Sequence, residues 1–446
     1  MAKQISMRKF AVKFTAMTSI SIQDSIMLLP VSKMAETLQG SEIIKLAGEI
    51  KAKIAQGEKI YNLTIGDFNP EIFPIPQALT DEIIEAYKSG QTNYPASNGV
   101  QELRESVSRF LHTRQGLEYD ANQILISGGA RPLIYAIYQT IIDPGDTVVF
   151  PVPSWNNNHY THLSRGKAVY IETKSKNNFM PTAEDLKPYI SEANLIALNS
   201  PLNPTGTTFG YKELEAICEM ILEENRKRGE YKKPVYLMYD QIYWALTYGD
   251  TEHFDPVSLI PEMKNYTIYV DGLSKAFAAT GVRVGWAFGP QKIIDKMKAI
   301  LGHIGAWAPK AEQVAVANFL HNDDAIDQYL EHFKSEINTR LQAFYEGFKK
   351  LNALGYNIDA IPPQAAIYLT VKINLTGKTT QNGEKLHNMA DVTAFLLNEA
   401  KLALVPFYAF GAGKNSPWFR LSVGTVKTED IPQIFDQLQQ AIEKLK

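Results

Sequence analysis

The chain has 446 residues, 45% of them apolar, and a formal net charge of −3. This length and composition suit a soluble globular protein of about two domains. The near-neutral charge argues against a nucleic-acid-binding protein, which would present a basic face, and no apolar run approaches the roughly 18 residues that a membrane-spanning helix needs.

The first 23 residues carry four basic side chains and no acidic one. Organelle-targeting peptides have a similar composition. The alternatives are a natural arm or an initiation site assigned too far upstream. We interpret residues 1–30 as an N-terminal arm.

Cys218 is the single cysteine, so no internal disulfide can form. It lies in a helical apolar pattern, which predicts a buried structural thiol rather than a nucleophile. Nothing in the cysteine content implies an oxidising compartment, and we expect a cytoplasmic protein.

Helical and extended patterns alternate from about residue 80 to 325. The predicted helices are Glu102–Leu111, Pro132–Ile142 and Lys212–Lys227, and the predicted strands are Gln123–Ser127, Thr147–Phe150, Leu195–Leu198, Val235–Tyr239 and Thr267–Val270. Short apolar strands suit a sheet that is covered on both faces. The alternation predicts an α/β domain with mainly parallel strands over residues 76–325.

The pattern changes after Asp323. A long amphipathic helix is predicted over Ile326–Leu354, followed by strands at Ile367–Val371, Leu404–Val405 and Phe419–Val423 and a closing helix from about Thr428. These elements predict a smaller α+β domain, to which we assign residues 31–75 and 326–446.

Several predicted strands end at residues that suit ligand binding, as is usual for open α/β sheets. Ser127-Gly128-Gly129-Ala130 follows a strand and opens a helix, so its backbone N–H groups suit an anion such as phosphate. Glycine turns are also common at such junctions without any ligand.

Asp240 directly follows another predicted strand. A carboxylate at this position can keep a heteroaromatic nitrogen protonated, although a helix N-cap is the alternative. Tyr243 lies three residues further on and would reach the same ligand if a helical turn begins there.

Lys275 follows the next strand and its loop. A lysine in a partly dry pocket beside a cationic group has a lowered pKa and can form a Schiff base. A solvated surface lysine is the alternative. A phosphate would explain why Ser274 and Arg283 lie close to this lysine in the sequence.

Two further residues are candidates for ligand contacts. Trp155 follows the strand that ends at Phe150, where an indole can stack on a flat ring or form part of a core. Arg420 lies in an apolar strand, where a carboxylate partner would offset its burial. That partner is either a substrate carboxylate or an internal salt bridge.

These motifs, in this order, resemble the class I/II aminotransferases of the fold-type I pyridoxal-phosphate enzymes, and above all the bacterial aspartate aminotransferases. The matching segments are Leu63-Thr-Ile-Gly66, Tyr94 with Gly99 and Glu102-Leu-Arg104, Asp143-Pro-Gly-Asp146, Asn199 to Gly206, Ser274-Lys275 and Arg420-Leu-Ser422. The resemblance implies a large domain with a seven-stranded, mainly parallel sheet in an α/β/α sandwich, and a smaller α+β domain.

The resemblance also implies how pyridoxal 5'-phosphate would be bound. Lys275 would be the Schiff-base lysine and the proton shuttle, and Asp240 would pair with the ring nitrogen. Asn203 and Tyr243 would hydrogen-bond the phenolate oxygen, and Trp155 would stack on the ring and touch the substrate. The phosphate would be held by Gly129, Ala130, Ser274 and Arg283.

Other residues would bind substrate or connect subunits. Arg420, with the Gly66 backbone and Asn203 beside it, would bind the substrate α-carboxylate. Tyr94 would reach the phosphate of the neighbouring subunit, which implies a homodimer. No metal ion is expected.

Three parts of the sequence depart from the family pattern, one of which is the unusually polar Asn156-Asn-Asn158 after Trp155. Arg131 follows Ala130, where relatives often have a lysine or a polar residue, and it either compensates for that charge or lies on the surface. Trp307 replaces part of a serine- and threonine-rich stretch and would narrow the substrate pocket or make it more apolar.

We therefore predict a dimeric aminotransferase of amino-acid biosynthesis with ping-pong kinetics and 2-oxoglutarate as acceptor. Aspartate is the favoured donor, and aromatic amino acids come next. The residues that could line an aromatic pocket are Phe73, Trp155, Trp307 and Tyr408.

Other functions were weighed against this one. A pyridoxal-phosphate-dependent carbon–sulfur β-lyase is the main alternative, since it would share these motifs. A ligand-sensing regulator would need a DNA-binding domain, for which residues 1–40 are too short. A nicotinamide enzyme would need a Gly-x-Gly-x-x-Gly turn after a strand, which the sequence lacks.

Overall fold

The computed structural model describes residues 31–446 apart from Gln39 and Ser41. The predicted N-terminal arm, residues 1–30, lies outside the described residues. Residues 31–38 contain one short helix, Lys33–Glu36, whose first turn is capped by the Ser32 side chain.

A seven-stranded sheet forms the centre of the following region, after a short strand β1 (Tyr61–Asn62). Its strands are β2 (Ile124–Ser127), β3 (Thr147–Val152), β4 (Lys167–Glu172), β5 (Ala193–Asn199), β6 (Tyr236–Asp240), β7 (Thr267–Gly272) and β8 (Gly285–Phe288). The spatial order is β2-β8-β7-β6-β5-β3-β4. Only β8 runs antiparallel to its neighbours within this sheet.

Both faces of this sheet are covered. Residues of β5 alternate between two hydrophobic clusters, Leu195 and Ala197 on one face and Ile196 and Leu198 on the other, as the two-residue period of a strand requires. The covering helices include Ala130–Ile141 and Gln291–Ile304 on the first face, and Gln101–Gln115 and Tyr211–Arg228 on the second. The predicted α/β sandwich with a mainly parallel seven-stranded sheet is therefore confirmed.

Shorter helices connect these elements. They are Gln77–Lys88, Asn157–Leu163, Ala183–Leu186, Pro256–Leu259, Leu273–Ala276 and Lys310–Phe319. Cys218 lies buried on the helix Tyr211–Arg228, and burial raises the pKa of its thiol to about 12. The prediction of a buried structural cysteine is confirmed.

A second, smaller sheet lies in the C-terminal part of the chain. It has the antiparallel order β12-β13-β10-β9, and a parallel pair joins β1 to β11. The strands are β9 (Ile358–Ala360), β10 (Tyr368–Ile373), β11 (Leu402–Ala403), β12 (Val405–Pro406) and β13 (Trp418–Ser422), and the helices are Glu42–Ala55, Asp323–Ala353, Met389–Asn398 and Ile431–Glu443. A separate hydrophobic cluster packs around this sheet, while the domain boundaries themselves stay a prediction.

The sequence patterns missed some elements. β4 is an edge strand with mostly exposed side chains, so it lacks an apolar run, and β8 has only four residues. The helices Gln291–Ile304, Lys310–Phe319 and Met389–Asn398 were not assigned either. Within residues 31–446, as far as they are described, no helix is long and apolar enough to cross a membrane.

Candidate active site

The predicted site residues come together at the carboxyl ends of the central strands. A cavity of about 640 Å³ opens there, within the range of small-molecule sites. Every predicted site residue except Gly129 and Tyr94 lines it. The lining residues from that prediction are Gly66, Ala130, Trp155, Asn203, Asp240, Tyr243, Ser274, Lys275, Arg283 and Arg420.

Lys275 lies on the short helix that follows β7, and its Nζ donates a hydrogen bond to the Gly66 carbonyl oxygen at 2.7 Å. Burial lowers the pKa of its amine to about 8. The nearby carboxylate of Asp67 opposes this shift, and the guanidinium of Arg420 adds to it. A lysine held in this way is neutral at mildly alkaline pH and is therefore a nucleophile. It is not a solvated surface lysine.

The lowered pKa of Lys275 predicts how cofactor uptake by the cofactor-free protein depends on pH. Only the neutral amine condenses with an aldehyde, and its fraction grows as the pH rises through about 8. We expect the initial rate of pyridoxal phosphate uptake, followed by absorbance, to rise with pH and to level off above about pH 8 to 9. A rate that rises undiminished to about pH 10, as for an ordinary lysine, would contradict the assignment.

Asp240 is the last residue of β6 and has no cationic partner among the described residues. Its Oδ1 accepts a hydrogen bond from the Ile242 N–H at 3.1 Å. The carboxylate therefore stabilises a turn, and it does not cap a helix because no helix begins there. Burial raises the pKa of this carboxyl to about 6. An unpaired buried carboxylate that lines a cavity suits a cationic ring nitrogen.

Asn199 connects Asp240 to Asn203, a role that the sequence did not reveal. Its Nδ2 donates to the Asp240 carbonyl oxygen at 2.7 Å, and its Oδ1 accepts from the Asn203 N–H at 2.7 Å. One amide at the end of β5 thus fixes the backbone at both Asp240 and Asn203.

The predicted phosphate cradle is an open helix N-terminus. The helix Ala130–Ile141 begins after Gly129, which has a φ of 94° and provides no side-chain cap. A Cβ on Gly129 would lie 2.3 Å from Arg283 Nη2, and that Nη2 donates to the Gly128 carbonyl oxygen at 2.7 Å. The Gly129 N–H donates to the Ser127 carbonyl oxygen at 2.7 Å. The first N–H groups of the helix, which have no partner within it, lie next to this guanidinium and make an anion site. Ser274 lies in the same cavity wall.

Arg420 is almost fully buried, at 1% exposure. Its Nη1 donates to Asn203 Oδ1 at 3.0 Å and its Nη2 to the Thr64 carbonyl oxygen at 2.6 Å, while its Nε has no partner. No carboxylate among the described residues pairs with it, so the alternative of an internal salt bridge is wrong. A buried, unpaired guanidinium in a cavity wall calls for an anionic ligand.

Arg131 lines the same cavity, and its guanidinium lies over the Trp155 ring at 5.4 Å. The predictions left this arginine either at the site or on the surface, and the structure places it at the site with its side chain largely exposed. Among the described residues it forms no ion pair. The cavity therefore holds a third guanidinium besides those of Arg283 and Arg420.

Tyr368 is a cavity residue that the sequence analysis missed. Its hydroxyl lies 2.6 Å from the Tyr243 hydroxyl, and the Arg420 guanidinium lies over its ring at 4.7 Å. In the sequence it is one aromatic residue in an apolar strand, and nothing there separates it from a core residue.

The predicted aromatic pocket is largely wrong within this chain. Phe73 is buried against Phe68 and Phe333 in the core around the small sheet, and Tyr408 and Trp307 line two other cavities. Of these four aromatic residues, only Trp155 lines the site cavity. These positions depend on long-range packing, which a sequence pattern does not record.

Tyr94 also lies away from the site cavity within the chain. It is 83% exposed, and its ring meets the Trp307 ring edge-on at 5.4 Å. Its predicted contact with a neighbouring subunit stays a prediction.

Comparison with known proteins places the chain in a family. The family model for aminotransferase class I and II matches residues 58–438. The aspartate aminotransferase of Geobacillus stearothermophilus is 30% identical over 420 residues, which cover 94% of this chain and 98% of the relative. That of Bacillus sp. strain YM-2 is 31% identical over 86% of this chain and 92% of the relative.

Solved structures agree. The aspartate aminotransferase of Rhizobium meliloti superposes with a TM-score of 0.84 at 27% identity, covering 94% of this chain and all of that chain. The buried lysine, the unpaired Asp240 and the open helix N-terminus fit the cofactor of this family. The chain belongs to the class I and II aminotransferases, which use pyridoxal phosphate, and it is a transaminase.

Proposed function

We propose that this protein moves the amino group of aspartate to 2-oxoglutarate by a ping-pong reaction, with Lys275 as the Schiff-base lysine and proton shuttle. The observation that carries the proposal is the arrangement of one cavity. The cavity is lined by Lys275, whose amine can be neutral near pH 8, and by the buried Arg420, whose Nε has no partner. Arg283 also lines it, and Gly129 adjoins it next to Arg283, where the two form the anion cradle.

When bound, pyridoxal phosphate supplies an aldehyde that takes up the amino group and a ring that accepts electrons. Asp240 would hold the ring nitrogen protonated. Asn203 and Tyr243 would donate to the phenolate oxygen, and Trp155 would lie against the ring. The phosphate would be held by Gly129, Ala130, Ser274 and Arg283.

The chain's own groups then position the amino acid. Arg420, together with Asn203 and the Gly66 backbone, would bind the α-carboxylate, which orients the Cα–H bond. The Lys275 amine, whose pKa burial lowers to about 8, would take the proton from Cα and deliver it to the C4′ carbon of the cofactor. A base with a pKa near the working pH is best suited to this task.

Arg131 supports aspartate as donor. A substrate with a second carboxylate needs a second cation, and the Arg131 guanidinium has no acidic partner among the described residues that would compete. The Trp155 ring beneath it restricts its position, which favours a defined carboxylate geometry. Aromatic donors come second, because Trp155 alone of the four candidate aromatics lines the cavity.

We also propose a homodimer in which Tyr94 reaches the phosphate bound by the partner subunit. Its high exposure and its position outside the lining of its own site cavity support this arrangement. Tyr94 and Trp307 would then approach the partner's site together, since their rings are in contact.

The donor assignment is tested by mixing the holoenzyme with single amino acids and following the absorbance of the bound cofactor. We expect aspartate and glutamate to bleach it efficiently, and alanine and phenylalanine poorly. In Arg131→Leu we expect the response to aspartate to fall about tenfold to a hundredfold, the effect of losing one charge-assisted hydrogen bond, while that to phenylalanine is kept.

Arg165→Leu is the matched control, because Arg165 is an exposed arginine like Arg131 and lies outside the cavity wall. Equal responses to aspartate in the wild type and in Arg131→Leu would overturn the role of Arg131. Bleaching by phenylalanine and not by aspartate in the wild type would overturn the donor.

A further inference from the structure

The hydroxyls of Tyr243 and Tyr368 face each other inside the cavity wall. They are 2.6 Å apart, and the two residues are only 2% and 1% exposed. Tyr243 lies in the turn after β6, and Tyr368 is the first residue of β10. The pair therefore connects the central sheet to the small sheet at the site, and their rings meet edge-on at 5.6 Å.

Each phenol has one proton to donate and lone pairs to accept. No other described residue forms a hydrogen bond with either hydroxyl. One hydroxyl must therefore donate a hydrogen bond to the other. From the protein alone, either hydroxyl can be the donor. An anionic oxygen bound beside Tyr243 decides the direction, because Tyr243 must then donate its proton to that oxygen and accept from Tyr368.

We propose that Tyr368 is a positioning residue that directs the Tyr243 proton onto the phenolate oxygen of the bound cofactor. This inference rests on the proposed function, in which Tyr243 donates to that oxygen. Donation from Tyr368 polarises the Tyr243 hydroxyl and strengthens its own donation. Burial keeps the pKa of Tyr243 well above its usual value, so the hydroxyl stays a donor.

Tyr368 also contacts Arg420, through its ring and not through its hydroxyl. The Arg420 guanidinium lies over this ring at 4.7 Å, and a Cβ on Gly66 would lie 2.7 Å from the hydroxyl oxygen. The hydroxyl and the ring can therefore be tested separately. Tyr368→Phe removes only the hydroxyl, while Tyr368→Leu also removes the surface under Arg420.

Other charged groups lie near this pair of tyrosines and also influence a pKa measured in a titration of the site. The ones that influence the two hydroxyls or lie over their rings are Asp67, Asp240, Lys275 and Arg420. All four are unchanged in Tyr368→Phe, so a shift in that variant reports on the hydroxyl.

The test is a spectrophotometric pH titration of the cofactor bound to the holoenzyme, without substrate. In Tyr368→Phe the phenolate oxygen keeps more negative charge, so the bound cofactor holds its proton more tightly. We expect its pKa to rise by roughly 0.1 to 0.6 of a unit, because the Tyr243 hydrogen bond to the phenolate is weakened by about 10–30% and is not lost. In Tyr368→Leu we expect the same rise and, in addition, a roughly tenfold higher KM for the amino acid, as expected for a lost cation–π contact with a buried guanidinium.

Two controls keep the outcome decisive. Tyr248→Phe removes another buried hydroxyl, which donates to the Ala366 carbonyl oxygen outside the cavity wall, and it should leave the titration unchanged. In a Tyr243→Phe background, Tyr368→Phe should add no further shift, since the two act through one bond. This second comparison stays valid if the single variant is poorly stable.

Three results would overturn the inference. The first is a titration of Tyr368→Phe that matches the wild type, and the second is an additive shift in the double variant. The third is a wild-type protein that binds no pyridoxal phosphate, which would overturn the proposed function as well and is recognised by the absence of any cofactor absorbance.

Discussion

Lys275→Ala is expected to lower the rate of transamination by about 10⁴-fold or more. General base catalysis alone contributes about 10² to 10⁴, and the covalent attachment of the cofactor is lost in addition. The Gly66 carbonyl would also lose its 2.7 Å hydrogen bond, a smaller effect on stability. Steady-state turnover of aspartate with 2-oxoglutarate measures the loss, and absorbance measures the detached cofactor.

Lys334→Ala is the matched control for this experiment. Burial lowers the pKa of Lys334 too, but this lysine lines a different cavity, which His253 also lines. We expect full turnover and unchanged cofactor absorbance. If Lys275→Ala turned over amino donors at the wild-type rate, the assigned mechanism would be wrong.

Arg420→Lys is expected to lower kcat/KM for every amino donor by roughly 10- to 150-fold, since one charge-assisted hydrogen bond to the carboxylate contributes about 1.5–3 kcal/mol. A lysine cannot reproduce the two-pronged contact of a guanidinium. The loss should be similar for aspartate and phenylalanine, because both have an α-carboxylate. Cofactor affinity should change less, since Arg420 contacts Asn203 but forms no hydrogen bond with the phosphate cradle at Gly129 and Arg283.

Arg340→Lys separates this effect from simple destabilisation. Arg340 is also buried, and it pairs with Glu336 and donates to the Val426 carbonyl oxygen. Its replacement should lower the melting temperature and leave KM unchanged. An Arg420→Lys enzyme with a wild-type KM, or one that loses only the response to aspartate, would disprove the assignment to the α-carboxylate.

The sequence was most informative where a residue with a charged side chain follows a predicted strand. Asp240 and Lys275 could be predicted because each comes just after a compact apolar run, and the carboxyl ends of such strands meet at one edge of the sheet. Arg420 was recognised as unusual because a charge in an apolar strand is costly. The choice between a substrate and an internal partner needed the structure, since only tertiary packing reveals which acids are close.

Other features could not be read from the chain. β8 was missed because it has only four residues, and its antiparallel direction could not be predicted because apolar periodicity does not record strand direction. The contact between Arg131 and Trp155, and that between Tyr243 and Tyr368, each join segments that are distant in sequence. Phe73 and Tyr408 were assigned to the pocket on residue type alone, and their long-range packing placed them elsewhere.

The segment after β6 has a consequence for attempts to change the substrate. Ile242, Tyr243 and Leu246 belong to the hydrophobic cluster around the small sheet, although they follow a strand of the central one. Exchanging this segment for that of a relative would disturb a core as well as a site. Arg131 is exposed and Trp155 only partly buried in the same cavity lining, so redesign for new donors has the most freedom there.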